Sequence, residues 1–193
     1  MNKLNIKNFF KTYGYWVAFG CCIAILITMV TLAVVKNNTP ITNTIESAPV
    51  TSKEVIFANP VSEINVLKDY SDTKLQYSNT LKLWQAHKAV DFAAEEGTQV
   101  FAVCDGVIKE VTYNYLMGNI VKLDIGGGIV VVYASLTSDI TVKAGDQVKQ
   151  GDVIGKVGNT AKSESVDGPH LHLEVLVDDK LVDPNLYLDL GNK

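Results

Sequence analysis

Residues 12 to 35, "TYGYWVAFGCCIAILITMVTLAVV", contain no charged side chain, and this run constrains the chain more than any other feature. Its 24 residues exceed the ~20 that a helix needs to cross ~30 Å of hydrocarbon. A helix satisfies its own backbone N–H and C=O groups, which is the condition for sitting in lipid. Tyr13, Tyr15 and Trp16 gather at the start of the run, where amphipathic rings favour the interface. A buried helix of a soluble domain would carry a more polar face. A cleaved signal peptide would have a shorter apolar region, ~7–15 residues, ending at small residues, and "TLAVVKNN" is a poor cut site. Lys3, Lys7 and Lys11 precede the run with no acid among them, whereas only Lys36 closely follows it. The positive-inside bias therefore predicts a cytoplasmic N-terminus over 1–11, one transmembrane anchor over 12–35, and everything after it on the far side.

Residues 36–54 are rich in Asn, Thr, Ser and Pro without an apolar period and read as a polar stalk. The part beyond residue 36 holds 13 lysines, no arginine and 21 acidic residues, a net charge of −8. That balance disfavours nucleic acid and other polyanions as partners. Cys21 and Cys22 fall inside the apolar run and Cys104 stands alone beyond it, so no disulfide framework is available. The external domain, residues 55–193, must therefore be stabilised by a packed core.

From residue 84 the pattern is β. "TQVFAVCDGVIKEVTY" gives two short apolar runs broken at Asp105-Gly106, and "NIVKLDIGGGIVVVYASL" gives two β-branched runs around a glycine turn, a hairpin. A phosphate loop would need a helix after those glycines, and none is apparent. In "ITVKAGDQVKQGDVIGKVGNT", Gly-Asp pairs punctuate three- to five-residue strands. The earlier "EEGTQVFAVCDGVIKEV" has the same cadence, which suggests a compact sheet folded from two similar halves. Lipoyl and biotin carriers share such a cadence but need a lysine flanked by methionine on a hairpin, and none is present. Residues 55–83 are mixed: "EVIFANPVS" suits a short strand, and "INVLKDYSDTKLQYSNTLKLW" is ambiguous between loop and hairpin.

All 3 histidines of the chain lie in two fragments, "HKAVD" and "GPHLHLEV". On a strand, residues two apart share a face, so His170 and His172 project together, and His87 and Asp91 do so if "HKAVDF" is extended. Two such strands side by side bring three imidazoles and a carboxylate together, a ligand set that zinc accepts. Taken singly, H-x-x-x-D arises by chance and H-x-H is as readily a structural pair. Together they point to a metal site.

The ordered set "WQAHKAVDFAAEEGTQVFAVCDGVI", "VVVYASL", "VKAGDQVKQGDVIGKVGNT", "GPHLHLEV" and "VDPNLYL", over residues 84–188, resembles the M23 (LytM-type) zinc endopeptidases of bacterial cell walls. The resemblance implies a mainly β, antiparallel LytM fold, two-halved and barrel-sandwich-like, following the transmembrane helix. It implies zinc held by His87, Asp91 and His172 with water in the fourth position, and His170 as a catalytic histidine assisting that water.

Three departures from the family pattern stand out. Tyr-x-His-Leu is replaced by Tyr133-Ala134-Ser135-Leu136, so serine stands where the family has an acid–base histidine. A hydroxyl cannot take a proton near neutral pH as imidazole does, and losing one acid–base group costs ~10²–10⁴-fold in rate. Ala89 replaces a glycine, which matters only if the backbone there needs positive φ. "GNTAKSESVDGPHLH" is longer than the compact loop common in active members.

The anchor, the stalk and the altered site resemble the sporulation branch of the family, its clostridial members above all. That branch implies a non-catalytic domain on the forespore membrane, facing the intermembrane space. Its implied partner is a stage III sporulation protein AH-like protein of the mother-cell membrane, and its implied roles are engulfment and a channel complex with ring-like oligomers. Alternatives are a zinc-dependent endopeptidase acting on peptidoglycan, and a non-catalytic activator of another wall hydrolase. For a binding module, "TVKAG" and "KLVDPNLYL" are two places where a sheet edge can accept a partner strand.

Overall fold

A computed structural model describes residues 56–189. The expected anchor at 12–35 and stalk at 36–54 lie outside the described residues; within them, no helix is long and apolar enough to cross a membrane. Twelve strands run in chain order: β1 (Val66–Lys68), β2 (Ser71–Ser78), β3 (Leu83–His87), β4 (Val90–Ala93), β5 (Gln99–Phe101), β6 (Gly106–Asn114), β7 (Gly118–Gly126), β8 (Ile129–Leu136), β9 (Gln147–Val148), β10 (Val153–Lys156), β11 (His170–Val177) and β12 (Lys180–Val182). One 3₁₀ turn, Pro184–Leu186, follows.

Eight strands form one sheet in the order β1-β4-β11-β8-β7-β6-β9, with β12 beside β11. All pairings between these strands are antiparallel, as the family resemblance implies. β8, "IVVVYASL", is buried from Val130 to Leu136, as expected of a β-branched strand flanked on both edges and covered on both faces. Val121, Leu123, Val131, Tyr133, Leu171, Leu173 and Val175 supply one face of the sheet to the main core. Ile120, Val132 and Ala134 form a smaller cluster from the alternate positions, on the opposite face.

The two segments that share the repeated cadence, β5–β6 and β9–β10, pair reciprocally: β5 with β10, and the start of β6 with β9. Short strands bounded by Gly-Asp turns give this result, because each turn reverses the chain before a strand can extend. The ambiguous stretch before residue 84 contains the β2–β3 hairpin, a separate two-stranded sheet. "EVIFANPVS" contributes one bridge, Phe57 to Leu188.

Candidate metal centre

Sheet register assembles the site. Residues opposite each other on paired strands share a face. Lys68 of β1 lies opposite Asp91 of β4, Asp91 opposite His172 of β11, and His172 opposite Ala134 of β8. A single cross-strand row therefore carries a lysine, a carboxylate and an imidazole. Period two then sends Leu171, Leu173 and Val175 into the core while His170, His172 and Glu174 face the other way. "HKAVD" is not one strand: β3 ends at His87 and β4 begins at Val90. This break lets His87 reach Asp91 from a different sheet. Ala89 is buried and is not among the residues with positive φ, so alanine fits there.

His87 Nε2 lies 3.1 Å from Asp91 Oδ2 and His172 Nδ1 lies 2.8 Å from Asp91 Oδ1. A fourth side chain joins them: Glu164 Oε2 is 3.1 Å from His172 Nδ1 and Oε1 is 3.6 Å from His87 Nε2. One ligand atom from each of His87, Asp91, Glu164 and His172 lies within 4.8 Å of the others. His170 stands beside this group, fully buried, its Nε2 3.4 Å from Glu164 Oε2.

The donor set fits a divalent cation. Asp91 is 0 % exposed, yet neither carboxylate oxygen has an aligned hydrogen-bond partner, and the same holds for His87 Nε2 and His172 Nδ1. Their close approaches are convergent rather than hydrogen-bonded, so these lone pairs point into one shared space. Both imidazoles are oriented from behind. His87 Nδ1 is 3.2 Å from the Asp69 carbonyl, and His172 Nε2 is 3.4 Å from Glu174 Oε1. Acceptors at those positions fix each tautomer and leave the other ring nitrogen free as a ligand. His170 Nδ1 donates to the Gly168 carbonyl at 2.8 Å, which turns its Nε2 toward the cluster.

The protein groups alone titrate in line with this crowding. Burial pushes His87 down, but the nearby carboxylates of Asp91 and Glu164 more than offset it and raise it to about 9. Burial likewise opposes charge on His172 and is overcome by Asp91, Glu164 and Glu174, leaving it well above the ordinary imidazole value. Burial would raise Glu164, but His170, His172 and His87 hold it well below the carboxylate range. Two carboxylates and three imidazoles in one buried space call for a compensating positive charge, from protons or from a cation.

Ser135 stands at the bulge where β8 leaves register with β7, with φ of 60°, a left-handed conformation uncommon for serine. It is fully buried, its carbonyl accepts from Gly158 N at 2.8 Å, and its hydroxyl reaches only the Gly158 carbonyl, at 3.5 Å. Gly158 also bridges to His170, so Ser135 and His170 flank the same residue. Glu164 was not among the expected site residues. Its one sequence signal is the lengthened segment "GNTAKSESVDGPHLH", which holds the only acidic groups between β10 and His170.

The family model for peptidase family M23 matches residues 85–184. Stage II sporulation protein Q of Bacillus subtilis (strain 168) is 32% identical over 143 residues, covering 72% of this chain and 49% of that protein. The peptidoglycan DD-endopeptidase ShyC of Vibrio cholerae is 40% identical over 93 residues, 48% of this chain and 21% of that relative. The chain thus spans half or less of the length of these curated relatives. Among solved structures, a chain of the SpoIIQ–SpoIIIAH pore-forming complex matches with a TM-score of 0.60 at 27% identity, over 70% of this chain and 92% of that one. A zinc-containing peptidase from Vibrio cholerae matches with a TM-score of 0.58 at 28% identity, over 67% of this chain and 39% of that one. By sequence and by fold the chain resembles stage II sporulation protein Q, and it belongs to peptidase family M23.

Proposed function

We propose that this chain is a membrane-anchored, non-hydrolytic binding module of sporulation. In this reading residues 12–35 anchor it in the forespore membrane and the LytM domain stands in the intermembrane space. There it binds a stage III sporulation protein AH-like protein of the mother-cell membrane, in a channel complex that also serves engulfment. The observation that carries the reading is the match to nearly the whole length of a chain in the SpoIIQ–SpoIIIAH complex. Ser135 supports the loss of hydrolysis, because the family's second acid–base group is missing beside His170.

Zinc is the cation this donor set suits, with His87, Asp91 and His172 as ligands. When bound in such a site, zinc polarises a carbonyl and lowers the pKa of a bound water. His170 can hold a proton at Nε2 beside that position, whereas the Ser135 hydroxyl, turned to the Gly158 carbonyl, cannot relay one. A second reading, a zinc-dependent peptidoglycan endopeptidase, is favoured by the retention of His87, Asp91, His170 and His172.

A partner strand has one long edge to join. β6 is paired with β7 along one edge, but on its other edge it meets β9 only at Gly106 and Val107, and among the described residues no strand covers that second edge over Lys109–Asn114. By contrast, "TVKAG" is loop, and β12 has only 3 residues. Mixing the chain with the external domain of the AH-like protein from the same organism is expected to give a stable complex. In that complex, amide hydrogen exchange at residues 109–114 slows. Absence of a complex in both detergent and bilayer preparations sinks the partner; a complex with unchanged exchange there moves the interface elsewhere.

A further inference from the structure

A catalytic zinc keeps one coordination position for water, whereas a structural zinc is surrounded by four protein ligands. We propose that Glu164 is the fourth protein ligand of this site, closing the position that hydrolysis needs and turning the metal into a clamp on residues 159–169. The proposal rests on the reading of His87, Asp91 and His172 as metal ligands, and deepens it.

Distance decides the matter first. Four donors at ~2.0–2.2 Å from a tetrahedral centre stand ~3.3–3.6 Å from one another. The separations of His87 and His172 from the two carboxylates, 2.8 and 3.1 Å to the Asp91 oxygens and 3.1 and 3.6 Å to the Glu164 oxygens, are at or below that range, so the donors already crowd one small space. Glu164 therefore approaches both imidazoles nearly as closely as Asp91 does, and all four ligand atoms lie within 4.8 Å of one another. It is also only 5 % exposed, unusual for a glutamate with no aliphatic role. The unpartnered, buried oxygens of Asp91 supply an independent sign that the shared space is built for a cation.

The rest of the segment holds Glu164 in place. Thr160 Oγ1 accepts from Asn119 N and donates to the Leu136 carbonyl, and Ser163 Oγ donates to the Leu116 carbonyl. Past Glu164, Val166 N donates to Thr80 Oγ1 in the β2–β3 turn, and Asp167 N donates to the Glu164 carbonyl. Lys68, in the same cross-strand row as Asp91, donates to both Glu164 Oε1 and Asp167 Oδ2. The segment is thus tied to β7, β8, β1 and the β2–β3 hairpin, with its carboxylate aimed inward. Lys68 alone does not account for this, since it engages one Glu164 oxygen while the other faces His172 and His170.

The test uses the full chain, kept in solution by a mild detergent and loaded with cobalt(II), whose visible spectrum reports the number and kind of its ligands. Azide is the probe for an open position. The expected result is one cobalt per wild-type chain with a spectrum that azide leaves unchanged. Glu164→Ala should then show an azide-dependent shift and at least ~10-fold faster loss of zinc to a chelator. A wild-type spectrum that shifts with azide overturns the proposal while leaving His87, Asp91 and His172 as ligands. A folded wild type that takes up no cobalt overturns the metal reading and this proposal together. The wild-type arm decides the question even where the variant fails to fold, and Glu164→Gln gives a gentler second perturbation.

Discussion

Each imidazole in the site is fixed by an acceptor on its outer nitrogen, and the cost of packing them around two carboxylates is set by protons when no cation shares the space. This gives a pH dependence with a definite sign. His87 is raised from an ordinary 6.5 to about 9, so in metal-free protein its contribution to stability is full below about 6.5 and lost as pH rises through about 9. Glu164 is lowered, so its contribution is present above the ordinary carboxylate value and lost as pH falls below it. Metal-free protein is therefore expected to be most stable in mildly acidic solution and to weaken toward pH 9. Zinc should add more stability as pH rises through the same window, because its ligands must be deprotonated. Denaturant midpoints at pH 6 and pH 9, with and without zinc, check this, and a metal-free midpoint that rises toward pH 9 contradicts it. At this scale the sequence was half legible. Strand period placed His170 and His172 on one face, and the family resemblance added His87 and Asp91, which the structure brings beside His172 although "HKAVD" is not one strand. Glu164 could not be placed in this way, because it sits in a segment whose path is set by contacts with Asn119, Leu116 and Thr80 rather than by any period.

Among the elements, β11 carries the design, one face in the core and the other in the site. Its strand period was readable directly from "HLHLEVLV". The break between β3 and β4 was not, because nothing in "HKAVD" marks a change of sheet, and the join is visible only once Ser71 is seen opposite His87. The reciprocal pairing of β5 with β10 and of β6 with β9 was likewise not readable, because a shared cadence does not name each strand's partner. Where β8, β10 and β11 converge, Gly158 allows an approach that no side chain permits. A Cβ there would lie 2.7 Å from the backbone carbon of Leu136 and 2.7 Å from Thr137 N. Gly158→Ala must therefore push the backbones apart. It is expected to cost ~1–3 kcal/mol in chemical denaturation and to disturb Glu164 through its neighbour His170. Unchanged stability would mean that the strands have slack which the structure does not show.

For the molecule as a whole, one sheet carries both the open edge of β6 and the clustered site. The β character and the β7–β8 hairpin were legible from turn residues and β-branched runs, and the antiparallel fold from the family resemblance, whereas the open edge at Lys109–Asn114 was not, since edges are defined by which strands are absent. In the function proposed above, the scaffold keeps the residues that would hold a cation and lacks the histidine that would complete acid–base chemistry, and this separation is the central claim. It is tested most directly by incubating the zinc-loaded chain with purified peptidoglycan and scanning the soluble products by mass spectrometry for newly cut cross-links. The account predicts no release above that of Asp91→Ala, and release by the wild type that Asp91→Ala abolishes would contradict it.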